Sequence, residues 1–206
     1  MLQAGEIAQS ILAYAKKLDA GARTKQEFLE LNQLGMEMAS LADNAALRKE
    51  LRGLGVPVFV VKTVHEQMRY DTQRIVVEKG KPFEIILENT DGMPHNLMVI
   101  DGGKHIEIGT STMTMPPDRL DKKGRAYMPD EKKFKIYEST KLLEPGQKET
   151  IKLSGMGKEG EYEYVCTFPG HFMIMWGKLI VTKDVDDYLA KNPTFTLPVG
   201  AMPTLK

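Results

Sequence analysis

Cysteine is nearly missing from this chain: Cys166 is the only one, so no disulfide can form within it and no bridge reports its redox compartment. A lone Cys is a buried hydrophobe, a reactive thiol or a metal ligand. Histidine is also scarce, with His65, His95, His105 and His171 the full set, which excludes any metal cluster built from many imidazoles. Surplus charge is absent. Lys+Arg and Asp+Glu stand at 28 each, leaving no basic excess to track a phosphate backbone or an anionic membrane, so no nucleic-acid partner is expected. The longest apolar runs, such as residues 56–61, fall far short of the ~20 residues that span a bilayer. A secretory leader is not visible either: Gln3, Glu6 and Gln9 interrupt residues 1–15, which hold no Lys or Arg. The start therefore reads as cytoplasmic or as cut from a longer precursor. No nucleophile triad, phosphate loop or paired-carboxylate motif is present, and an enzyme is not expected.

What remains is enough for one well-buried domain with an appendage, at 206 residues and 42% hydrophobic. Ile7, Ile11, Leu12, Ala15 and Leu18 recur at helical spacing, predicting a helix over residues 4–18. Thr24 and Glu27 have capping-box spacing ahead of Phe28, Leu31, Leu34, Met38 and Leu41, which predicts a second helix. A third is predicted over 45–54, with Asp43 or Asn44 as cap and Gly55 as terminator. Beyond Gly55 the period becomes two. Strands are expected at 58–64, 74–78, 83–88, 96–100, 134–139, 149–153, 161–166 and 178–182, about eight in all. That number and spacing suit a Greek-key β-sandwich, so the fold class is mainly β with a helical N-terminal segment. The Gly- and Pro-rich stretch 101–133 reads as a long excursion with a helical turn near 119–123. Residues 185–190 predict a closing helix and 192–206 an extended tail. The expected divisions are 1–55 (helical), 56–183 (sandwich) and 184–206 (helix and tail).

The informative segment is Cys166-Thr-Phe-Pro-Gly-His171-Phe-Met-Ile-Met175, between two predicted strands. Taken singly, each residue has an ordinary explanation: a strand Cys packs, a His sits at the surface, and 13 Met fill core gaps. Taken together, thiolate, imidazole and thioether on one loop need only a second imidazole to make the His₂Cys set with a long axial Met that holds type 1 copper. His95, in Met93-Pro94-His95-Asn96 at a strand start, is the natural second imidazole. Other copper chemistries fail on ligand count. A trinuclear cluster needs about eight more imidazoles, and a binuclear site needs a second Cys. His65 and His105 are left over and read as exposed surface histidines.

Residues of about 60–183 resemble azurin and auracyanin, bacterial blue copper proteins of the plastocyanin superfamily. The loop from Cys166 to His171 is similar residue for residue, and Met175 stands where azurin has its axial Met. Glu66-Gln67-Met68-Arg69-Tyr70, Ser139-Thr140-Lys141-Leu142-Leu143 and Gly177-Lys178-Leu179 resemble azurin strands. The resemblance implies one copper per chain, with Cys166, His95 and His171 as strong ligands, Met175 as the weak one, and Asn96 bracing the Cys loop. It implies single-electron transfer with a redox partner such as a cytochrome or an oxidoreductase domain, in a periplasmic or other extracytoplasmic location. Pro94 stands where azurin has a Gly whose carbonyl approaches copper, so four ligands are expected. The helices before Gly55 have no azurin counterpart.

The same resemblance places the His171 imidazole edge at the surface inside an apolar docking patch of Met68, Met93, Phe168, Gly170, Phe172 and Met173. Two alternatives stay open: an electron-relay domain of a larger redox enzyme, and a protein that stores or delivers copper.

Overall fold

The computed structural model describes residues 2–19 and 21–197. Helices α1 (Leu2–Lys17), α2 (Gln26–Leu41) and α3 (Ala45–Arg52) come first. Ala8, Ile11, Leu12, Met36, Ala39, Leu47 and Leu51 bury into one cluster, the product of the three- and four-residue apolar spacing. Two boundary expectations are corrected. Thr24 does not cap α2: its hydroxyl donates to the Gly21 carbonyl at 2.8 Å, inside the 3₁₀ turn Ala22–Thr24, and extended Lys25 is the N-cap with no side-chain cap bond. Gly53 rather than Gly55 ends α3, its N–H donating to the Lys49 and Glu50 carbonyls. Asn44 caps α3 as expected, its side chain accepting from the Leu47 N–H.

Nine strands follow among the described residues: β1 (Val58–Val64), β2 (Arg69–Tyr70), β3 (Arg74–Glu78), β4 (Phe83–Glu88), β5 (Met98–Asp101), β6 (Ile136–Ser139), β7 (Lys148–Leu153), β8 (Gly160–Val165) and β9 (Trp176–Thr182). They form a mainly β sandwich of two sheets, ordered β2-β1-β4-β7 and β3-β9-β8-β5-β6. β3 runs parallel to β9, while β9, β8, β5 and β6 pair antiparallel in turn. The two-residue β2 is too short to show a period of two. Its Tyr70 is nevertheless fully buried and donates its hydroxyl to the Asn96 carbonyl.

The excursion after β5 differs from expectation. Its helix is α4 (His105–Thr112), not a turn near 119–123, where Leu120 and Ala126 instead form a β-bridge around Gly124. Gly109, Thr110, Ser111 and Thr112 are weak helix formers. What starts the helix is remote in sequence: the buried Glu163 carboxylate accepts from the N–H groups of Lys104 (3.1 Å) and His105 (3.2 Å). A negative charge there also complements the helix dipole. Buried Arg125 pins the rest of the excursion through Asp121 (2.6 Å) and Glu138 (3.0 Å).

Helix α5 (Val185–Lys191) is capped by Asp184 and buries Val185 against Val76 and Ile180. Beyond it, Arg74 donates to the Asn192 carbonyl (2.9 Å) and lies over the Phe195 ring. The expected tail beyond residue 197 lies outside the described residues. Two compact units are present: Met1–Phe59 with Pro82–Glu84, and Val60–Lys81 with Ile85–Lys206. No helix among the described residues is long and apolar enough to cross a membrane.

Candidate metal centre

His95 is set just before β5, where its backbone exchanges two hydrogen bonds with Leu143 (3.1 and 2.8 Å). Half-buried Pro94 precedes it. Asn89 Nδ2 donates to the carbonyls of Met93 (2.8 Å) and Leu143 (2.9 Å), fixing the turn that carries it. Cys166 follows β8 directly, and its N–H donates to the Met175 carbonyl (3.0 Å). Between them the chain reverses through Gly170, at φ +86, and a 3₁₀ turn over His171–Met173. Positive φ is why glycine stands there. The Met175 N–H then donates back to the His171 carbonyl (2.8 Å). Asn96 ties the two segments: its Nδ2 donates to Thr167 Oγ1 and its Oδ1 accepts from the Thr167 N–H, both at 2.8 Å.

These constraints bring three donor atoms together. His95 Nδ1 and His171 Nδ1 are 3.2 Å apart, and Cys166 Sγ lies 3.9 Å from the first and 3.6 Å from the second. A point in their plane lies about 2.1 Å from each atom, matching metal–nitrogen and metal–sulfur bonds of about 2.0–2.3 Å. Soft thiolate with two imidazoles in a trigonal set suits copper. His95, Cys166 and His171 form the one such cluster of His, Cys, Asp or Glu among the described residues.

Burial sets the protonation of the cluster. It pushes the Cys166 thiol up to about 12, against the opposing N–H groups of Asn96 and Phe168, so a proton must leave for a metal to bind. It lowers His171 to about 4, with the His95 ring adding to the effect, and it lowers His95 against the raising influence of Asp91. Both imidazoles are therefore neutral at pH 7, as ligands require. Asp91 was not anticipated. Its Oδ2 lies 2.9 Å from His95 Nε2, and because a carboxylate only accepts, the His95 proton sits on Nε2 and the Nδ1 lone pair faces Cys166. Burial opposes the charge of Asp91, but the Glu66 N–H, the His95 ring and the Gly92 N–H hold it at about 2. No familiar motif marks an Asp four residues before a histidine in a turn.

Other expected site residues divide. Met68, Met93 and Met173 are exposed, Phe168 and Gly170 are half-buried, and Met175 is fully buried. Phe172 is corrected: it is buried with Ile108, Val165 and Trp176 and lies against Gly109 of α4. His171 is only 3% exposed, with the Phe168 ring 4.7 Å from its own between centres. Exposed Ile174, beside Met173, was missed. His65 is exposed as expected, but His105 is not a free surface residue. It stacks on Trp176 (4.1 Å) and bonds Glu163 through Nδ1 (2.9 Å).

Comparison with known proteins matches the domain that carries these residues. Residues 58–182 match the profile of copper binding proteins of the plastocyanin/azurin family. The azurin of Pseudomonas fluorescens biotype C is 30% identical over 120 residues, 54% of this chain and 88% of that protein. Auracyanin-A of Chloroflexus aurantiacus is 28% identical over 133 residues, 63% of this chain and 76% of that protein. The dithionite-reduced auracyanin of Roseiflexus castenholzii superposes with a TM-score of 0.53 at 25% identity, over 62% of this chain and 99% of that one. The match covers the sandwich, which carries every donor atom of the buried cluster, and so the chain belongs to the plastocyanin/azurin family of copper binding proteins.

Proposed function

We propose that this chain is a type 1 blue copper electron carrier in which His95, Cys166 and His171 are the strong ligands and Met175 the weak axial one. The observation that carries the reading is the buried triangle of two imidazoles and one thiol. Copper bound there would supply a one-electron Cu(II)/Cu(I) couple. The residues around it keep the ligands still: Asn96 and Thr167 lock the two ligand segments, and the Met175 backbone bonds to both Cys166 and His171. A frame fixed by such bonds resists rearrangement when the charge of the site changes. Water is excluded as well, with His95 and Cys166 fully buried. That enclosure supports retention of copper through redox cycling rather than delivery to another protein. The redox partner is proposed to be a cytochrome or an oxidoreductase domain, and the setting extracytoplasmic, in keeping with azurin and auracyanin.

The test is an absorption spectrum of the copper-loaded, oxidised protein. An intense blue band from thiolate-to-copper charge transfer is expected, and Cys166→Ser should abolish it. A loaded wild-type protein that stays colourless overturns the proposal.

A further inference from the structure

We infer that Asp91 is a positioning and tuning residue for the copper centre, acting through His95; the inference rests on the type 1 reading above. The two carboxylate oxygens divide their work. Oδ1 accepts from the backbone N–H groups of Glu66 (3.0 Å) and Gly92 (2.8 Å) and lies 3.4 Å from His65 Nδ1, which are bonds that shape the turn. Oδ2 faces His95 Nε2 alone, at 2.9 Å. A turn residue needs only the first set. The second holds the His95 ring in one tautomer, with Nδ1 turned toward Cys166 and His171.

A carboxylate drawing on Nε2–H makes Nδ1 a stronger donor and places negative charge beside the ring. Asp91 is 6% exposed, so little water screens that charge. Both effects favour the higher metal charge, Cu(II) over Cu(I), and so hold the reduction potential down. The aspartate thus sets how readily this centre gives up its electron, and it does so without touching the metal.

Asp91→Asn tests this, because its amide oxygen can keep the Oδ1 bonds while its NH₂ replaces the acceptor at Oδ2. The expected result is a protein that stays blue but binds Cu(II) about tenfold less tightly relative to Cu(I), a potential raised by about 59 mV. A redox-inert arm needs no colour: Zn(II) affinity measured by calorimetry should fall about 10- to 100-fold in the variant. A third arm uses the wild-type protein only: nitrogen NMR of the metal-free form, where no metal fixes the tautomer, should show the His95 proton on Nε2. A blue variant with wild-type potential and wild-type Zn(II) affinity overturns the inference, as does a wild-type His95 protonated on Nδ1. A merely structural Asp91 would lower thermal stability while leaving the potential in place. If wild-type protein proves colourless with copper, the type 1 reading fails, while the Zn(II) and NMR arms still decide whether Asp91 positions His95.

Discussion

Met175 and His171 belong to one loop but differ in what they contribute. A thioether is a weak ligand beside thiolate and imidazole, and the Met175 backbone is already fixed by its bonds to Cys166 and His171. Met175→Leu should therefore keep copper and the blue colour while raising the potential, as read by voltammetry. Loss of copper from that variant would show that the ligand ranking is wrong. His171 governs the acid side. Its pKa in the fold is about 4 against 6.5 for a free histidine, so between these values the unfolded chain binds a proton that the folded chain refuses. Stability then falls as pH drops from 6.5 toward 4, by about 1.4 kcal/mol per unit from this residue. Thermal melts of chelator-treated protein should show the decline, and His171→Asn should make it shallower, leaving the part due to His95. A melting temperature independent of pH across that window would contradict the assignment. Cys166 and its spacing to His171 were legible because a copper site of the proposed kind needs those donor types on a short loop. Asp91 was not, since a hydrogen bond to a ring nitrogen leaves no periodic or spacing signal.

Helix α4 shows how an element can shape the site without supplying a ligand. Its N-terminus is held by Glu163, and at its other end Thr112 Oγ1 donates to the Thr167 carbonyl beside Cys166 (3.0 Å). Gly109 lets Phe172 approach it closely: a Cβ at that position would overlap the ring and the Cβ of Phe172. Gly109→Ala should cost about 1–3 kcal/mol in chemical denaturation. It should also shift the visible band, because Phe172 follows His171 directly. A variant with wild-type stability and spectrum would mean that the contact gives way freely. The strands β1, β3 and β4 were predicted within their observed bounds, since β-branched runs between turns are local signals. The position of α4 was hidden because its cap lies 58 residues away in β8 and its own residues favour helix weakly.

For the molecule as a whole, exchange with a partner depends on what surrounds the ligand loops at the surface. Met93 stands two residues before His95, and Met173 and Ile174 follow His171 within three; all three are exposed. Apolar side chains near a buried centre suit brief docking, since burying them gains about 25 cal/mol per Å² without fixed polar pairs. Met173→Lys should slow self-exchange on the order of tenfold at low ionic strength, through like-charge repulsion between two copies. Colour and potential should hardly change. A self-exchange rate equal to wild type under those conditions would mean that electrons do not pass this face.

Composition and periodicity alone determined a helical N-terminal segment followed by a β-sandwich, because each depends on residues close in the chain. The loop Cys166 to Met175 likewise pointed to copper, since donor type decides affinity. Tertiary structure decided what requires groups brought together from afar: the Asp91 carboxylate on His95, the Glu163 cap that starts α4, and the inward turn of Phe172 against Gly109. Those depend on packing and on hydrogen bonds across the fold, which no local pattern encodes.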